Sequence, residues 1–277
     1  MPYAYYSNRA CPLCFRTVRI VIVISRIVGG IGNQLFQYAA ARAFSDLYNA
    51  DLFLDLSTFS HPKYFAPEGF LINKVFQKDV PFATSLEYDE VLGLTKFLLP
   101  LRFKIKYEKI CNNYFVEKNV HKVEEKFFLY DKKHCYMEGY WQSEKYFQNI
   151  SEKLNNELDF DFNNLESSVL EMSHMLRDQP SVSIHVRRGD YVTNKVFKEI
   201  FVQCDEAYYE GSIRSISNRV PNAKFFVFSD DIEWAKAQPV FRGCSFVSGR
   251  SNYGSWNDLF LMSCCQHNII ANSSFSW

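Results

Sequence analysis

The chain has no surplus of charge: its 277 residues include 31 lysines and arginines and 31 aspartates and glutamates. Proteins that hold nucleic acid electrostatically usually carry a basic excess. We therefore expect no nucleic-acid partner, and any anionic ligand must be met by charge that is held locally.

Long apolar runs are also missing, so the sequence predicts no transmembrane helix. Near the N-terminus, Arg19 and Arg26 bracket only six residues, 20–25, and no convincing cleavage site for a signal peptide follows. The Val and Ile content predicts a strand that runs into a glycine turn. Residues 1–18 are predicted to form an extension outside the fold.

Cysteine patterns typical of a zinc site or a disulfide framework are absent. Of eight cysteines, only Cys11 and Cys14 form a C-x-x-C pair, with no second pair or nearby histidine cluster. This usage indicates reduced thiols in a cytoplasmic protein. Peripheral association with the inner face of a membrane is compatible with it.

The chain does have 47% hydrophobic residues, which is enough for a full core. Segments typical of strands alternate with segments typical of helices along most of its length. Such alternation predicts an α/β fold with parallel sheets. Residues 59–123 show no clear period and predict irregular helices and loops, and a polar stretch near 160–165 predicts a domain boundary. The predicted strands are 20–28, 51–56, 135–140, 181–186, 224–229 and 268–272, and the predicted helices are 33–48, 143–158, 165–177, 205–217 and 257–266.

The first candidate site is the sequence "GGIGNQLFQYAAARAF", which starts at position 29. A strand, a glycine turn and a helix direct free backbone N–H groups and a helix dipole at an anion. Gly30 and Gly32, with Asp51 or Asp55 downstream, resemble a dinucleotide fingerprint, but Leu35 holds the third glycine position. Asn33 either caps the helix or offers its amide to a ligand.

A second site follows the predicted strand 181–186, in the sequence "SVSIHVRRGDY". Ligands of parallel α/β sheets bind outside the carboxyl ends of strands. His185 and Arg187 share one side by strand alternation, and Arg188 points away. Arg187 is therefore predicted to reach an anionic ligand and Arg188 to pair with a carboxylate, unless both form surface salt bridges.

Two later strands also end in polar residues. Asp230 and Asp231 follow the strand 224–229, where they can accept from a ribose or base, or where Ser229 or Asp230 caps the next helix. No third oxygen ligand stands near, so we predict no metal. The last strand leads to hydroxyls that can bind a diphosphate, on Ser273, Ser274 and Ser276. Together these strand ends predict a site for a nucleotide-diphosphate ligand between two α/β halves.

Five segments carry a resemblance: "GGIGNQLFQYA", "EGYWQSEKYF", "HVRRGDYV", "FFVFSDDIEWAK" and "DLFLMSCCQHNIIANSSFSW". In this order they resemble the bacterial-type α-1,2-fucosyltransferases of glycosyltransferase family 11. The resemblance implies a GT-B-like fold with two Rossmann-like domains facing a cleft. The acceptor side would span 19–162 and the donor-binding domain 163–277, which looks incomplete because similar sequences usually continue past "SFSW".

The family's activity, as the resemblance implies it, is inverting transfer of fucose from GDP-β-L-fucose to a galactose-type hydroxyl of a glycan, without a required metal. The family's H-x-R-R-x-D pattern falls on His185, Arg187, Arg188 and Asp190, with Arg187 on the donor phosphate. The nucleotide or diphosphate contacts would come from Asp230, Asp231, Ser273, Ser274 and Ser276, beside the turn at Gly30 and Gly32.

Negative charge grows on the departing β-phosphate, and Arg187 and Ser274 are predicted to meet it. For the acceptor hydroxyl, Asn33 can orient but cannot take a proton. Asp190 is either the base or a partner of Arg188, and a loose transition state could need no strong base. Three rival functions stay open: a dinucleotide-dependent oxidoreductase, a non-catalytic nucleotide-sugar or glycan-binding module, and a glycosyltransferase with another donor.

Overall fold

A computed structural model describes residues 21–60, 68–102, 104, 106–189, 192, 202–247 and 254–277. The extension predicted at 1–18 and the catalytic candidate Asp190 lie outside these residues, as do Cys11 and Cys14. The other six cysteines are described, and each carries a free thiol. Within the described ranges, no helix has both the length and the apolar character needed to cross a membrane.

The first half of the chain forms a four-stranded parallel sheet in the order β2-β1-β4-β3. β1 lies at its centre and pairs with β2 on one side and with β4 on the other. Because all four strands are parallel, their carboxyl ends lie at one edge. The strands are β1 Val21–Arg26, β2 Ala50–Asp55, β3 Tyr114–Val116 and β4 Cys135–Glu138.

The second half forms another four-stranded parallel sheet, in the order β7-β6-β5-β8. Every residue of β5 is buried, as expected for a central strand covered on both faces. β5 pairs with β6 in a register that sets Val186 beside Ser229, so the two polar segments leave the sheet together. The strands are β5 Ser181–Val186, β6 Lys224–Ser229, β7 Ser245–Phe246 and β8 His267–Ile269.

Helices cover both sheets. In the first half, α1 packs on one face with Phe127, and α3 packs on the other with Tyr107. Phe160 and Phe275 contact core clusters of both halves and so join them. The helices are α1 Ile31–Leu47, α2 Ile72–Val75, α3 Ser85–Leu92, α4 Ser151–Glu157, α5 Ser167–Arg177, α6 Glu206–Ser217, α7 Ile232–Ala237 and α8 Trp256–Ser263.

The predicted α/β class with parallel sheets is confirmed, and β5 and β6 have the predicted bounds. The predicted helix 143–158 is wrong in its first half, where two 3-10 turns, Glu144–Tyr146 and Gln148–Ile150, precede α4. Tyr146 turns inward, packs edge-on against Trp141 and accepts a hydrogen bond from the Glu124 N–H at 2.7 Å. Because Tyr146 packs inward in this way, residues 144–150 form 3-10 turns and not a regular α-helix.

Candidate active site

The glycine turn after β1 leads directly into α1. Gly29 has a φ of 81°, in the left-handed region that favours glycine. Gly30 is the N-cap of α1 and no side chain caps the helix. The alternative in which Asn33 caps the helix is therefore wrong, because Asn33 is the third residue inside it. The first N–H groups of α1 remain suited to an anion.

The Asn33 side chain is held from two directions. Its Oδ1 accepts a hydrogen bond from the Ser274 hydroxyl at 2.7 Å and another from the Gln142 amide at 2.7 Å. With both bonds on Oδ1, the orientation of the amide is set and its Nδ2 serves as a donor. Gln142 was not predicted, although it is the first polar residue with an amide after β4 and the strand-end argument could have found it.

The serine segment at the end of the chain closes directly onto the glycine turn. A Cβ added at Gly32 would lie 2.3 Å from the Ser274 carbonyl oxygen, so only glycine permits this approach. The Ser273 and Ser276 hydroxyls accept hydrogen bonds from N–H groups of their own segment, at 3.3 and 3.2 Å. Of the three predicted serines, Ser274 is the one whose hydroxyl bonds to the first half.

His185 lies at the carboxyl end of β5 and is 4% exposed. Its ring centroid is 5.2 Å from that of Phe275, and its Nδ1 has no hydrogen-bond partner within the described part of the chain. Burial lowers the pKa of His185 to about 3, and the nearby charge of Arg187 adds to the shift. The imidazole is therefore neutral at physiological pH.

Arg187 forms an ion pair with Asp230, which stands at the end of β6, and the two charged groups are 2.8 Å apart. The other carboxylate oxygen of Asp230 accepts the N–H of Arg188 at 2.8 Å. A Cβ at Gly189 would come within 2.6 Å of the Asp230 carboxylate. Asp230 therefore fixes the turn that presents Arg187, whose side chain keeps 31% of its surface exposed.

Arg188 has the carboxylate partner that was predicted for it. Its Nε lies 3.2 Å from Asp231, and its guanidinium stacks over Trp234 at 3.7 Å. Asp231 also caps α7 by accepting the Trp234 N–H at 3.3 Å. The prediction that Ser229 or Asp230 caps this helix is thus wrong, because α7 begins at Ile232 and Asp231 is its N-cap.

A cleft of about 210 Å³ opens beside the Arg188–Trp234 stack. The start of α6 forms its opposite wall, with Glu206 and Tyr209. Its size and its mixed aromatic and charged lining suit part of a nucleoside better than a whole nucleotide sugar.

Asp55, which the dinucleotide alternative assigns to a ribose, is buried at 2% exposure. It accepts hydrogen bonds from the Tyr136 hydroxyl and from the Ser57 N–H. The same edge carries a second buried cluster, where Glu138 pairs with Arg26 and, at 2.8 Å, with Arg102. Both carboxylates therefore serve the fold, and Asp55 is not placed to hold a ribose.

No group of three metal-binding side chains occurs among the residues that the structure describes. The site is instead a set of strand ends, in which Asn33 and Ser274 connect the two halves and Arg187 stands beside Asp230. Such a set can bind a diphosphate through cationic and N–H donors.

The buried imidazole gives a testable pH dependence of stability. An unfolded histidine has a pKa of about 6.5, so between pH 6.5 and 3 the unfolded chain binds more protons at His185 than the folded chain does. The protonation of His185 therefore does not reduce the unfolding free energy above pH 6.5, but it reduces it progressively as the pH falls from 6.5 toward 3. Between pH 7 and pH 5, we expect the wild type to lose about 2 kcal/mol more unfolding free energy than His185→Gln, by urea titration.

The matched control is His174→Gln, because His174 is an exposed histidine of α5. It should show the same loss as the wild type. An equal loss in His185→Gln and in the wild type would contradict the buried neutral imidazole.

Comparison with known proteins adds a family and relatives. The model of Glycosyl transferase family 11 matches residues 21–277. The chain is 37% identical over 258 residues to an alpha-1,2-colitosyltransferase of Escherichia coli, covering 92% of this chain and 86% of that protein. It is 36% identical over 103 residues to galactoside 2-alpha-L-fucosyltransferase Sec1 of Mus musculus, covering 35% of this chain and 27% of that protein. The crystal structure of fucosyltransferase NodZ from Bradyrhizobium has a TM-score of 0.49 and 13% identity, and the match covers 93% of this chain and 91% of NodZ.

Proposed function

Because the chain belongs to glycosyl transferase family 11 and is a glycosyltransferase, we propose that it transfers L-fucose from GDP-β-L-fucose to a galactose-type hydroxyl of a glycan. The transfer inverts the anomeric carbon and forms an α-1,2 linkage. Membership of this family argues against the oxidoreductase alternative, as does the buried position of Asp55.

One observation carries the proposal: the carboxyl end of the second sheet, with Arg187 and Asp230, is linked to the glycine turn of the first. The link runs through His185, which packs on Phe275, to the Ser274–Asn33 hydrogen bond. A diphosphate at this junction would meet a guanidinium from one half and helix N–H groups from the other. This supports a GT-B-like arrangement, with 19–162 on the acceptor side and 163–277 binding the donor.

In the proposed reaction, the bond between the fucose anomeric carbon and the β-phosphate oxygen breaks while the acceptor oxygen attacks from the opposite face. The departing phosphate gains negative charge, which Arg187 and the Ser274 hydroxyl stabilise. The N–H groups that open α1 at Gly30 and Gly32 add to this. In this proposal the protein's own donors stabilise the leaving group, and no metal is included, as the family resemblance implies.

The nucleoside is proposed to lie toward the cleft beside Arg188 and Trp234. Asp230 and Asp231 would then stand at the ribose or guanine, as the family resemblance implies. Both carboxylates bond to Arg187 and Arg188 in the structure. Donor binding would therefore exchange part of the Arg187–Asp230 pairing for contacts with the phosphate.

Asp190 is proposed as the base that accepts the proton of the acceptor hydroxyl. Asp231 already balances the charge of Arg188, which favours a role for Asp190 other than pairing with it. Asn33, with its amide held by Gln142 and Ser274, would orient the hydroxyl or the donor.

A comparison of two variants separates these roles. Asp190→Asn should lower kcat by about 10²- to 10⁴-fold and remove the acidic limb of the pH–rate profile, since a general base contributes about that much. Asn33→Ala should lower turnover less and keep the shape of the profile. If Asp190→Asn retains both turnover and profile, Asp190 is not the base.

Colitosyl transfer is a second candidate, because the relative that matches 92% of this chain is an alpha-1,2-colitosyltransferase. Colitose is fucose without the 3-hydroxyl. A site that hydrogen-bonds that hydroxyl would discriminate strongly against the deoxy sugar. The ratio of kcat/KM for the two GDP-sugars therefore decides between the candidates.

The test is a donor screen with linkage analysis of the product, combined with competition by GDP, UDP and ADP. We expect turnover of GDP-fucose, an α-1,2-linked product, and inhibition by GDP above the other two nucleotides. Preference for UDP or ADP would contradict the donor. Binding of GDP without turnover of any GDP-sugar would contradict catalysis and favour a binding module.

A further inference from the structure

The segment after α3 turns its apolar side chains to solvent. It is a 3-10 helix, Gly93–Leu101, with no buried residue. Leu94 is 86% exposed, Phe97 71%, Leu98 37% and Leu101 44%. We call these four side chains the apolar ridge. Surface helices of globular proteins ordinarily direct such side chains to the core, so the orientation here is inverted.

The inner side of the same segment is anchored by both polar and apolar contacts. Arg102, directly after the helix, pairs with the buried Glu138 at 2.8 Å. The Tyr107 hydroxyl donates to the Thr95 carbonyl at 2.9 Å, and Leu99 packs against the core below. Since these contacts hold the backbone in place, the exposure of the ridge is a property of the folded chain. Contiguous exposed apolar side chains of this kind mark an interaction surface.

Cations flank the apolar ridge. Between positions 95 and 110 the sequence has five lysines and arginines and one acidic residue, Glu108. Three of the lysines, Lys104, Lys106 and Lys109, are exposed, and none of them has a carboxylate partner in the described part of the chain. Of the other two cations, Lys96 pairs with Asp89 and Arg102 with Glu138, so these three lysines are the cations that favour an anionic partner.

We propose that the apolar ridge and these three lysines dock on the surface of an anionic phospholipid membrane. Leucine and phenylalanine that enter the headgroup boundary, beside lysines that meet anionic headgroups, are the means by which a peripheral protein binds a bilayer. A second copy fits less well, because a two-fold interface would bring two sets of these lysines into one contact.

The apolar ridge lies near the edge of the first sheet that carries the glycine turn of the proposed active site. Arg102 ties it to Glu138, at the carboxyl edge of the first sheet from which the glycine turn also leaves. A membrane bound there would lie on the acceptor side, so an acceptor anchored in that membrane would be presented to the site. The docking proposal itself does not depend on the identity of the donor sugar.

Vesicle co-sedimentation of the full chain tests the proposal. Vesicles of phosphatidylcholine that contain phosphatidylglycerol should bind the protein at low salt and release it at high salt, and pure phosphatidylcholine should bind it far less. Phe97→Asp/Leu98→Asp should weaken the partition coefficient at least about tenfold. Lys104→Glu/Lys106→Glu/Lys109→Glu should weaken binding to the anionic vesicles by about 100-fold.

The segment before β4 offers matched controls, because Phe127 packs it against Phe44 of α1, on the opposite face of the same sheet. Leu129→Asp replaces a leucine that is 77% exposed, and reversal of the exposed Lys118, Lys122 and Lys126 matches the three charges. Both controls should bind vesicles as the wild type does. All variants should keep the wild-type circular dichroism and turnover of a soluble acceptor.

Three results would overturn the proposal. The wild type could stay in the supernatant with anionic vesicles, or the ridge variants could bind as well as the controls. Light scattering could also show a wild-type dimer that Phe97→Asp/Leu98→Asp dissociates, in which case the ridge is a subunit interface. Wild-type protein that binds anionic vesicles but does not turn over GDP-fucose would instead count against the proposed function alone.

Discussion

Arg187→Ala is expected to lower kcat with GDP-fucose by about 100- to 1000-fold, the loss typical of removing one well-aimed donor to a developing negative charge. The guanidinium stands at the end of β5, and its partner Asp230 comes from the neighbouring strand. Because the side chain keeps 31% of its surface exposed, the ion pair itself should contribute about 1 kcal/mol or less to stability. The variant should therefore remain folded, and steady-state kinetics should report the loss.

Two further variants sharpen the interpretation of that result. Arg187→Lys keeps the charge but loses the planar donor fork, so its turnover should fall between those of the wild type and Arg187→Ala. Arg242→Ala removes an exposed arginine after β6 and should retain wild-type turnover. Near-normal kcat in Arg187→Ala, with an unchanged thermal midpoint, would reject the role assigned to Arg187.

The placement of polar groups at strand ends could be predicted from sequence, because it depends on local pattern and on the geometry of parallel sheets. A buried apolar strand that ends with His185 and Val186 and is followed by Arg187 predicts that these polar side chains lie at the carboxyl edge of the sheet. Which carboxylate meets which guanidinium could not be predicted. That pairing depends on the turn at Gly189, whose missing side chain lets the Asp230 carboxylate approach.

Two other features could not be predicted from the sequence, for different physical reasons. β3 and β7 have only three and two residues, too few to show a period. The apolar ridge lies on a 3-10 helix that turns Leu94 and Phe97 to solvent, so a pattern search that assumes apolar residues are buried assigns it the wrong face. The position of these elements depends on tertiary contacts between residues distant in sequence, such as the Arg102–Glu138 pair.

The contact between the two halves brings these observations together. The Ser274–Asn33 hydrogen bond spans 241 positions of sequence, and it depends on α1 approaching the serine segment at a glycine. In the proposed site this contact places the donors of the first half opposite Arg187. The glycine at 32 is therefore expected to matter for catalysis although it has no side chain.

Gly32→Ala should lower kcat by about 100-fold, the effect of a displacement of about 1 Å in a positioned site. The new methyl would lie 2.3 Å from the Ser274 carbonyl oxygen and 2.6 Å from the Phe275 nitrogen, so the serine segment must move away. The overpacking should also cost about 1–3 kcal/mol of unfolding free energy. Kinetics and urea unfolding of the same preparation measure both effects.

Gly211→Ala is the matched control, since Gly211 lies inside α6 and an added Cβ there meets nothing within 4 Å. The same chemical change should raise stability by about 1 kcal/mol, because alanine favours the helix, and it should leave turnover unchanged. Wild-type turnover and stability in Gly32→Ala would contradict the close contact between the halves. Loss of turnover with full stability would show instead that the serine segment yields easily, and that catalysis depends on where it rests.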